Sequence, residues 1–319
     1  MKKFLVKILI AGLVAFTFSL SLILATEVEL FADLLPSKIS LPKGTTSHQW
    51  SRQREADTTR NVDVVILGSS IGQSVDVRGF KKFQLKAFNL SSGSQSPIQS
   101  SYLIDKYLDS FDPKLLIWDV YPFTFSYVAL ESTLDLISNC QQCDQMIPML
   151  IYTNSSLAWV SYCKRLMLLP FEDETISFPK ETGISTYIHS GYMETNYPSP
   201  EMPQETEPFD LKALDIQKRI FEAVLLRLKE KSIPVLLIYS PKSTSYSSNF
   251  QNQQEWFDYF QSSVDAGLAV KFINFNKVFS EEKINKTHFS DLAHLTKMGV
   301  KNYNSILMDS LSSNLQNLN

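Results

Sequence analysis

The chain has 319 residues, of which 44% are hydrophobic and 20% are charged, and its formal net charge is -3. A chain of this length and composition can bury a full core as one large domain. Because acidic and basic residues nearly balance, the chain lacks the excess of clustered cations that a nucleic-acid backbone requires. We therefore expect no nucleic-acid partner.

The N-terminus has the pattern of an export signal. Two lysines precede an apolar stretch from Phe4 to Ala25 that only Lys7 interrupts. This stretch is longer than most signal-peptide cores, and the lysines favour a cytoplasmic N-terminus. We predict an uncleaved membrane anchor over residues 1–25, with the main domain outside the cytoplasm, in the periplasm or the extracellular space. Cleavage near Ala25, which would release a secreted protein, is the alternative.

Residues 26–59 have mixed polarity, and Pro36, Pro42 and Gly44 break any regular period. We interpret this segment as a stalk or entry segment. It leads to a main domain that is predicted to cover residues 60–319.

The first strand of the main domain ends at a serine-rich turn. Val62 to Leu67 is a run of β-branched and apolar residues, typical of a buried parallel strand, and Gly68, Ser69 and Ser70 follow it. In open α/β sheets ligands bind beyond the carboxyl ends of the strands, so a serine here is well placed to act as a nucleophile. A plain turn or a helix N-cap is the alternative.

The second predicted strand, Phe83–Leu90, leads into a loop that contains Gly93. A glycine has no side chain, so its backbone N–H can approach a ligand closely. An amphipathic helix over Ser96–Phe111 and a third buried strand over Lys114–Pro122 follow.

Residues 123–208 do not continue the alternation of strand and helix. Their first half is apolar and predicted to be helical, and their second half is rich in Pro, Thr, Glu and Tyr. An insertion at the carboxyl end of a strand would overhang a site there, so we interpret it as a cap. Within it, Cys140 and Cys143 suit a disulfide outside the cytoplasm, which leaves Cys163 buried or free.

The alternation resumes at residue 210 and continues to the last helix, with strands over Pro234–Pro241 and Val270–Phe275. Helices are predicted over Leu211–Ser232, Gln254–Ala266 and Lys297–Leu311. Five short apolar strands separated by helices predict an α/β fold, with a parallel sheet covered on both faces.

Asp291 and His294 stand just before the last predicted helix. A serine hydroxyl is a weak nucleophile until a base takes its proton, and an imidazole does this best when a carboxylate fixes its tautomer. The chain has only four histidines, so few residues could be the base. A zinc site made by His288, Asp291 and His294 is the alternative, although this spacing lacks the i, i+4 histidine pair of helical zinc motifs.

The Gly-Ser-Ser turn and the Asp-x-x-His motif together resemble the SGNH/GDSL hydrolase superfamily. The resemblance implies that Ser70 is the nucleophile, with Ser69 in place of the family's Asp, that His294 is the base and that Asp291 orients it. The segment from Asn89 to Gly93 resembles the second motif of the family. By this resemblance the N–H groups of Gly93 and Ser70 form the oxyanion hole.

The third strand departs from the pattern of the family. Well-known members carry Gly-x-Asn-Asp at its end, where the Asn side chain donates to the oxyanion, but this chain has Trp118-Asp119-Val120-Tyr121-Pro122. Either the backbone donors suffice, or another donor substitutes, or activity has been lost. The loss of one donor typically costs on the order of 100-fold in rate.

The resemblance implies a flavodoxin-like three-layer α/β/α sandwich. The Gly-Ser-Ser form is similar to that of a membrane-anchored, envelope-associated branch of the superfamily. We therefore expect a serine-dependent esterase or O-acyl(acetyl)transferase that acts on an envelope or exopolysaccharide glycan, or on another ester, with no cofactor or metal. A catalytically inactive scaffold and a glycan-binding module are the alternatives.

Overall fold

The computed structural model describes residues 2–25, 47–171, 179–198, 206–278 and 286–318. Residues 26–46 of the predicted stalk lie outside these ranges. The last part of the stalk forms a helix.

Five parallel strands form the central sheet. They are β1 (Val64–Leu67), β2 (Ala87–Asn89), β3 (Leu115–Asp119), β7 (Val235–Tyr239) and β8 (Lys271–Asn274). Their spatial order is β2-β1-β3-β7-β8, which corresponds to the 2-1-3-4-5 order of flavodoxin-like folds. The α/β class with a parallel central sheet, predicted from the sequence, is confirmed.

Helices cover both faces of the sheet. Successive residues of a strand point to opposite faces, so Val65 and Leu67 of β1 belong to one apolar core while Val64 and Ile66 belong to the other. The first core includes residues of α3 (Pro97–Phe111), α7 (Asp215–Glu230) and α9 (Gln253–Asp265), and the second is formed largely with α11 (Lys297–Gln316). These layers make the three-layer sandwich.

The insertion after β3 has two parts. The first contains three helices, α4 (Leu130–Asn139), α5 (Ile147–Thr153) and α6 (Ser156–Leu168). The second is a small antiparallel sheet of β4 (Glu181–Thr182), β5 (Ser185–His189) and β6 (Tyr192–Thr195). The sequence did not predict this sheet, because its strands are short and their apolar residues do not alternate clearly.

The turn between β5 and β6 binds the small sheet to the central one. The N–H of Asn89 in β2 donates to the carbonyl of Ser190 at 2.8 Å. At the next residue, Gly191, an added Cβ would lie 2.0 Å from the Asn89 carbonyl oxygen, and φ is +75°. Only glycine fits this close approach in this conformation.

The end of the predicted stalk folds as α2 (Gln49–Thr58), which contacts α4 and β5. Arg52 in this helix is buried, and its guanidinium donates to the carbonyls of Gly191 and Ser47 and to the Gln49 side chain. This part of the chain is therefore packed into the domain.

Two short helices, α8 (Thr244–Asn249) and α10 (Phe275–Val278), lie beside β7 and β8 in the chain. The N-terminal apolar stretch forms α1 (Lys2–Ala25). Among the residues that the structure describes, no helix combines the length and the hydropathy that crossing a membrane requires, so the predicted anchor is not confirmed.

Candidate active site

The turn after β1 holds Ser70 at the carboxyl end of the sheet, and its two glycines let it pack tightly. A Cβ on Gly68 would lie 3.0 Å from the Cβ of Asp119 in β3. A Cβ on Gly72 would lie 2.7 Å from the hydroxyl oxygen of Ser91, which follows β2. The turn is thus fixed between the ends of both neighbouring strands, at the point where the strand order reverses.

The loop before α11 holds the candidate base in a closed hairpin-like turn. The N–H of Ser290 donates to the carbonyl of His294 at 2.9 Å. Thr296 caps α11 by accepting from the N–H of Gly299 at 3.2 Å. The N–H of Ser243, after β7, donates to Leu292 at 3.1 Å and ties the loop to the sheet.

The structure brings Ser70, His294 and Asp291 together as a hydrogen-bonded chain. The Ser70 hydroxyl lies 2.9 Å from His294 Nε2, and His294 Nδ1 lies 2.7 Å from a carboxylate oxygen of Asp291. Because an ionised carboxylate only accepts, Nδ1 carries the proton and donates it to Asp291. The lone pair of Nε2 then faces the serine hydroxyl, as proton abstraction requires.

Asp291 is held as a carboxylate. Its partial burial acts to raise its pKa, but hydrogen bonds from the His294 ring and from the N–H groups of His294 and Ala293 outweigh this effect. The net result is a pKa below the usual value. Both backbone N–H groups donate to one carboxylate oxygen at 2.7 Å, which leaves the other oxygen for the imidazole.

Gly93 lies in the turn after β2, and its role in an oxyanion hole stays a prediction. A Cβ placed on Gly93 would meet no atom within 4 Å, so the space in front of it is open. Within the described part of the chain, the N–H groups of Gly93 and Ser70 donate to no protein acceptor.

Asp119, at the end of β3, is directed toward β7. Its two carboxylate oxygens accept from the backbone N–H of Ser240 at 3.3 Å and from the Ser240 hydroxyl at 2.7 Å. Tyr303 of α11 lies 2.8 Å from the same hydroxyl. Burial raises the pKa of Asp119, although Lys242 and Ser240 act in the opposite direction. Asp119 thus supports the site from behind the serine turn.

Lys242 is a buried cation beside this network. Its ammonium donates to the Ser240 carbonyl at 3.0 Å and lies 4.7 Å from the centre of the Tyr121 ring. Burial lowers the pKa of Lys242 to about 8, and the negative charges of Asp119 and Asp291 partly offset this effect. The sequence analysis did not single out Ser240 or Lys242. Both residues follow β7 in the chain, and this position could have indicated them, because the carboxyl ends of parallel strands meet at one edge of the sheet.

A cavity of about 550 Å³ opens beside Ser70 and His294. One wall is the turn after Ser70, the second is β6 with Tyr197, and the third is the first two turns of α11. The ring of Tyr197 lies 5.5 Å from the His294 ring, centre to centre. The second part of the insertion therefore flanks the site.

The other histidines lie away from the triad. His48 contacts the Ser185 hydroxyl at 3.1 Å, His189 contacts Ser190, and His288 lies 2.9 Å from the Asn302 amide. In the described ranges, no group of three or more His, Cys, Asp or Glu side chains could hold a metal ion. The zinc alternative for residues 288–294 thus gains no support from the geometry.

Comparisons with known proteins give one partial family match and structures of low sequence identity. A protein-family model whose description names no activity matches residues 216–316, and no curated protein matches the sequence. An inferred acylhydrolase from Bacteroides fragilis is similar in structure, at 12% identity and a TM-score of 0.43, over 86% of this chain and 100% of the other. A GDSL-like lipase from Bacteroides thetaiotaomicron is similar at 10% identity and a TM-score of 0.43, over 84% and 99%.

The fold itself follows from the strand order and from the location of the motifs. The five parallel strands have the flavodoxin-like order, Ser70 follows the first of them, and Asp291 and His294 precede the last helix. The chain therefore has a flavodoxin-like three-layer α/β fold, in which Ser70 and the Asp291–His294 pair stand where the resemblance to SGNH/GDSL hydrolases implies.

Proposed function

We propose that this protein is a serine-dependent ester hydrolase or acyltransferase with Ser70 as its nucleophile. The observation that carries the proposal is the continuous hydrogen-bonded chain from Ser70 through His294 to Asp291, with distances of 2.9 and 2.7 Å. A weakly nucleophilic hydroxyl becomes reactive when such a base accepts its proton.

In this mechanism, Ser70 Oγ attacks the ester carbonyl while its proton moves to His294 Nε2. The N–H groups of Ser70 and Gly93 stabilise the oxyanion, since neither has another acceptor in the described residues. His294 then gives the proton to the departing alcohol, which leaves an acyl group on Ser70. Water completes hydrolysis, or a hydroxyl acceptor completes transfer, when His294 activates it in the same way.

The loss of the family's Asn makes an inactive scaffold the rival function. The Asp119 carboxylate is directed toward β7, where its oxygens accept from the backbone N–H and the hydroxyl of Ser240. The Ser70 hydroxyl lies within hydrogen-bond distance of His294, as an active enzyme requires, and this contact supports the enzyme over the scaffold.

The proposed place of action is outside the cytoplasm. Cys140 and Cys143 form a disulfide, and such bonds persist in oxidising compartments. We propose, as the resemblance implies, that the alcohol part of the ester belongs to an envelope or exopolysaccharide glycan. An attachment to the membrane through α1 is part of the same proposal.

The test is turnover of p-nitrophenyl esters by the full-length chain and by matched variants. We expect Ser70→Ala to lower kcat by about 1000-fold or more, because it removes the nucleophile. Ser69→Ala is the control, since Ser69 is a buried neighbour whose hydroxyl contacts the Ile71 N–H. His294→Gln should abolish turnover, while His288→Gln should not.

An equal rate in the Ser70→Ala variant and in the wild type would overturn the assignment of the nucleophile. Failure of the wild-type chain to turn over any ester, with folding verified by circular dichroism, would favour the inactive scaffold. A serine-reactive fluorophosphonate provides a second measurement, and we expect it to label Ser70 in the Ser69→Ala variant but nothing in Ser70→Ala.

A further inference from the structure

We propose that Asn304 of α11 is a positioning residue, which fixes the distance between the Ser70 hydroxyl and the His294 imidazole. This inference rests on the proposed function, because it concerns the same two groups. Asn304 acts on the nucleophile through the backbone of the turn that follows Ser70, and α11 connects Asn304 to the loop that carries the base.

The Asn304 side chain binds the backbone of this turn on both sides of Val75. Its oxygen accepts from the N–H of Asp76 at 2.7 Å, and its amide nitrogen donates to the carbonyl of Ser74 at 2.7 Å. The amide nitrogen also donates to the Val300 carbonyl, one turn earlier in α11, at 2.8 Å. The Asn304 side chain is only 8% exposed, so a group that lost its partner here would stay desolvated.

Hydrogen bonds inside the turn connect Ser74 to Ser70. The N–H and the hydroxyl of Ser74 both donate to the carbonyl of Ile71, at 3.0 and 2.6 Å. The N–H of Gln73 donates to the carbonyl of Ser69 at 3.3 Å. Ser70 lies between these two acceptors in the chain. A displacement of Ser74 is therefore passed on to the nucleophile.

The first turn of α11 is fixed to the loop that carries the base. The N–H of Thr296, which precedes the helix, donates to the carbonyl of His288 at 2.8 Å. A Cβ on Gly299 would lie 2.2 Å from the same carbonyl oxygen, so the helix backbone packs directly on the loop backbone. The loop that ends with His294 is thus held at the start of α11.

α11 therefore holds the base loop at Thr296 and the nucleophile turn at Asn304. The helix is continuous over Lys297–Gln316, and eight residues of α-helix span about 12 Å. Because the rise per residue of a helix is constant, the spacing between the two attachments is constant as well. Reacting groups that are misplaced by 1 Å can lose about 100-fold in rate, so a fixed spacing matters for the transfer of the Ser70 proton.

The neighbour of Asn304 in α11 gives the helix a second connection to the serine turn. The Tyr303 hydroxyl lies 2.8 Å from the hydroxyl of Ser240, which donates to the Asp119 carboxylate at 2.7 Å. A Cβ on Gly68 would lie 3.0 Å from the Cβ of Asp119, so this carboxylate packs against the start of the turn. Tyr303 supports the turn from behind, while Asn304 binds its far end.

The first experiment measures kcat and KM for a p-nitrophenyl ester with the Asn304→Leu variant of the full-length chain. Leucine has nearly the shape of asparagine but neither donates nor accepts hydrogen bonds. We expect kcat to fall by about 10- to 100-fold while KM changes little, because the variant loses the alignment of Ser70 with His294 and not a contact with the ester. Circular dichroism verifies that the variant is folded at the assay temperature.

Asn252→Leu is the matched control. The Asn252 side chain also binds backbone with both ends of its amide, accepting from the N–H of Leu211 and donating to its carbonyl at 3.0 Å each. Asn252 precedes α9, in the layer on the opposite face of the sheet from α11. We expect its kcat to equal that of the wild type. Equal losses of kcat in the two variants, or a wild-type kcat in folded Asn304→Leu, would overturn the positioning role.

Nuclear magnetic resonance of ¹⁵N-histidine tests the same contact without turnover, and the chain has only four histidines to assign. At a pH where the ring is neutral, we expect Asn304→Leu to shift the His294 Nε2 resonance toward that of a free imidazole nitrogen. Asn252→Leu should leave this resonance unchanged. Asn304→Gln keeps the amide on a longer side chain, so it should fold even if Asn304→Leu does not, and should shift the resonance less in the same direction.

The resonance separates this inference from the proposed function. If the wild-type chain turns over no ester but the His294 shift is present, the proposed function fails and the positioning role of Asn304 stands. An unchanged His294 resonance in every folded Asn304 variant would overturn the positioning role, whatever the turnover of the wild type.

Discussion

At the scale of single residues, Asp291 has two roles that depend on its charge. One carboxylate oxygen accepts two backbone N–H groups and shapes the loop, and the other orients the imidazole. The low pKa of Asp291 keeps both roles available as the pH falls, because hydrogen bonds to the charged form resist protonation.

We therefore predict that Asp291→Asn lowers kcat by about 100-fold or more while KM changes little. The amide has no charge to steady the imidazolium, and it can also favour the wrong tautomer of His294. Steady-state kinetics with p-nitrophenyl esters measures the effect. Asp258→Asn, on the outer surface of α9, is the control and should leave kcat unchanged.

Lys242 gives a prediction for stability against pH. Its pKa is lowered from the ordinary lysine value of 10.5 to about 8 in the folded chain, so between these values the unfolded chain binds a proton that the folded chain does not. Folding stability should therefore rise with pH in this window. Lys242→Met should remove about 1 to 2 kcal/mol of the rise between about pH 8 and 9.5. Urea unfolding at both pH values provides the comparison, and an identical rise in the variant would contradict it.

That Ser70, His294 and Asp291 lie together could be predicted at this scale, since Ser70 and the Asp-x-x-His motif are recognisable and the chain has few histidines. The environment of Asp119 could not be predicted from the sequence. Considered on sequence alone, a carboxylate at the end of β3 would disfavour an oxyanion, and only the packed structure shows that Ser240 donates to both of its oxygens. Which donor a buried carboxylate finds depends on tertiary contacts.

At the scale of elements, the β5–β6 turn decides how the cavity wall is placed. Arg52 of α2 donates to the Gly191 carbonyl at 3.0 Å, and the neighbouring Ser190 accepts from β2. The strand that follows, β6, contributes Tyr192 and Met193 to the lining of the cavity. A shift of this turn would therefore move one wall of the cavity beside Ser70.

We predict that Gly191→Ala lowers the free energy of unfolding by at least about 3 kcal/mol, because left-handed strain is combined with overlap against the Asn89 backbone. Gly267→Ala is the matched control. Gly267 has a similar φ of +65°, but the nearest atom to an added Cβ is 3.6 Å away, so strain alone should cost about 1 kcal/mol. Urea denaturation of both variants measures the difference, and equal losses would show that the close approach is unimportant.

The strands of the central sheet were predictable because they are fully buried and read as continuous apolar runs. α2 was not predictable, since its sequence is mostly polar and its buried residues include Gln49, Arg52 and Gln53 beside only two apolar ones, Trp50 and Ala56. Periodicity of apolar residues gives only a weak signal for a helix that packs largely through buried polar side chains.

At the scale of the whole molecule, the disulfide lies inside the insertion and links residues only three apart. The chain-entropy treatment gives about 2 kcal/mol for so small a loop, so reduction should weaken the fold without abolishing it. We predict that a reductant lowers the urea midpoint of the wild-type chain and has no effect on a Cys140→Ser/Cys143→Ser double variant. Loss of ester turnover on reduction alone would contradict a purely structural role.

The nucleophile and the base are separated by 224 positions in the chain. At typical synthesis rates, about 10 to 45 seconds pass between the appearance of Ser70 and that of His294. During this interval the nascent chain carries Ser70 without the base proposed for it. β1 has not yet packed against α11. Under the proposed mechanism, the polypeptide is therefore inert toward esters until residue 294 has been translated, and the Ser70 hydroxyl is activated only when the loop before α11 folds.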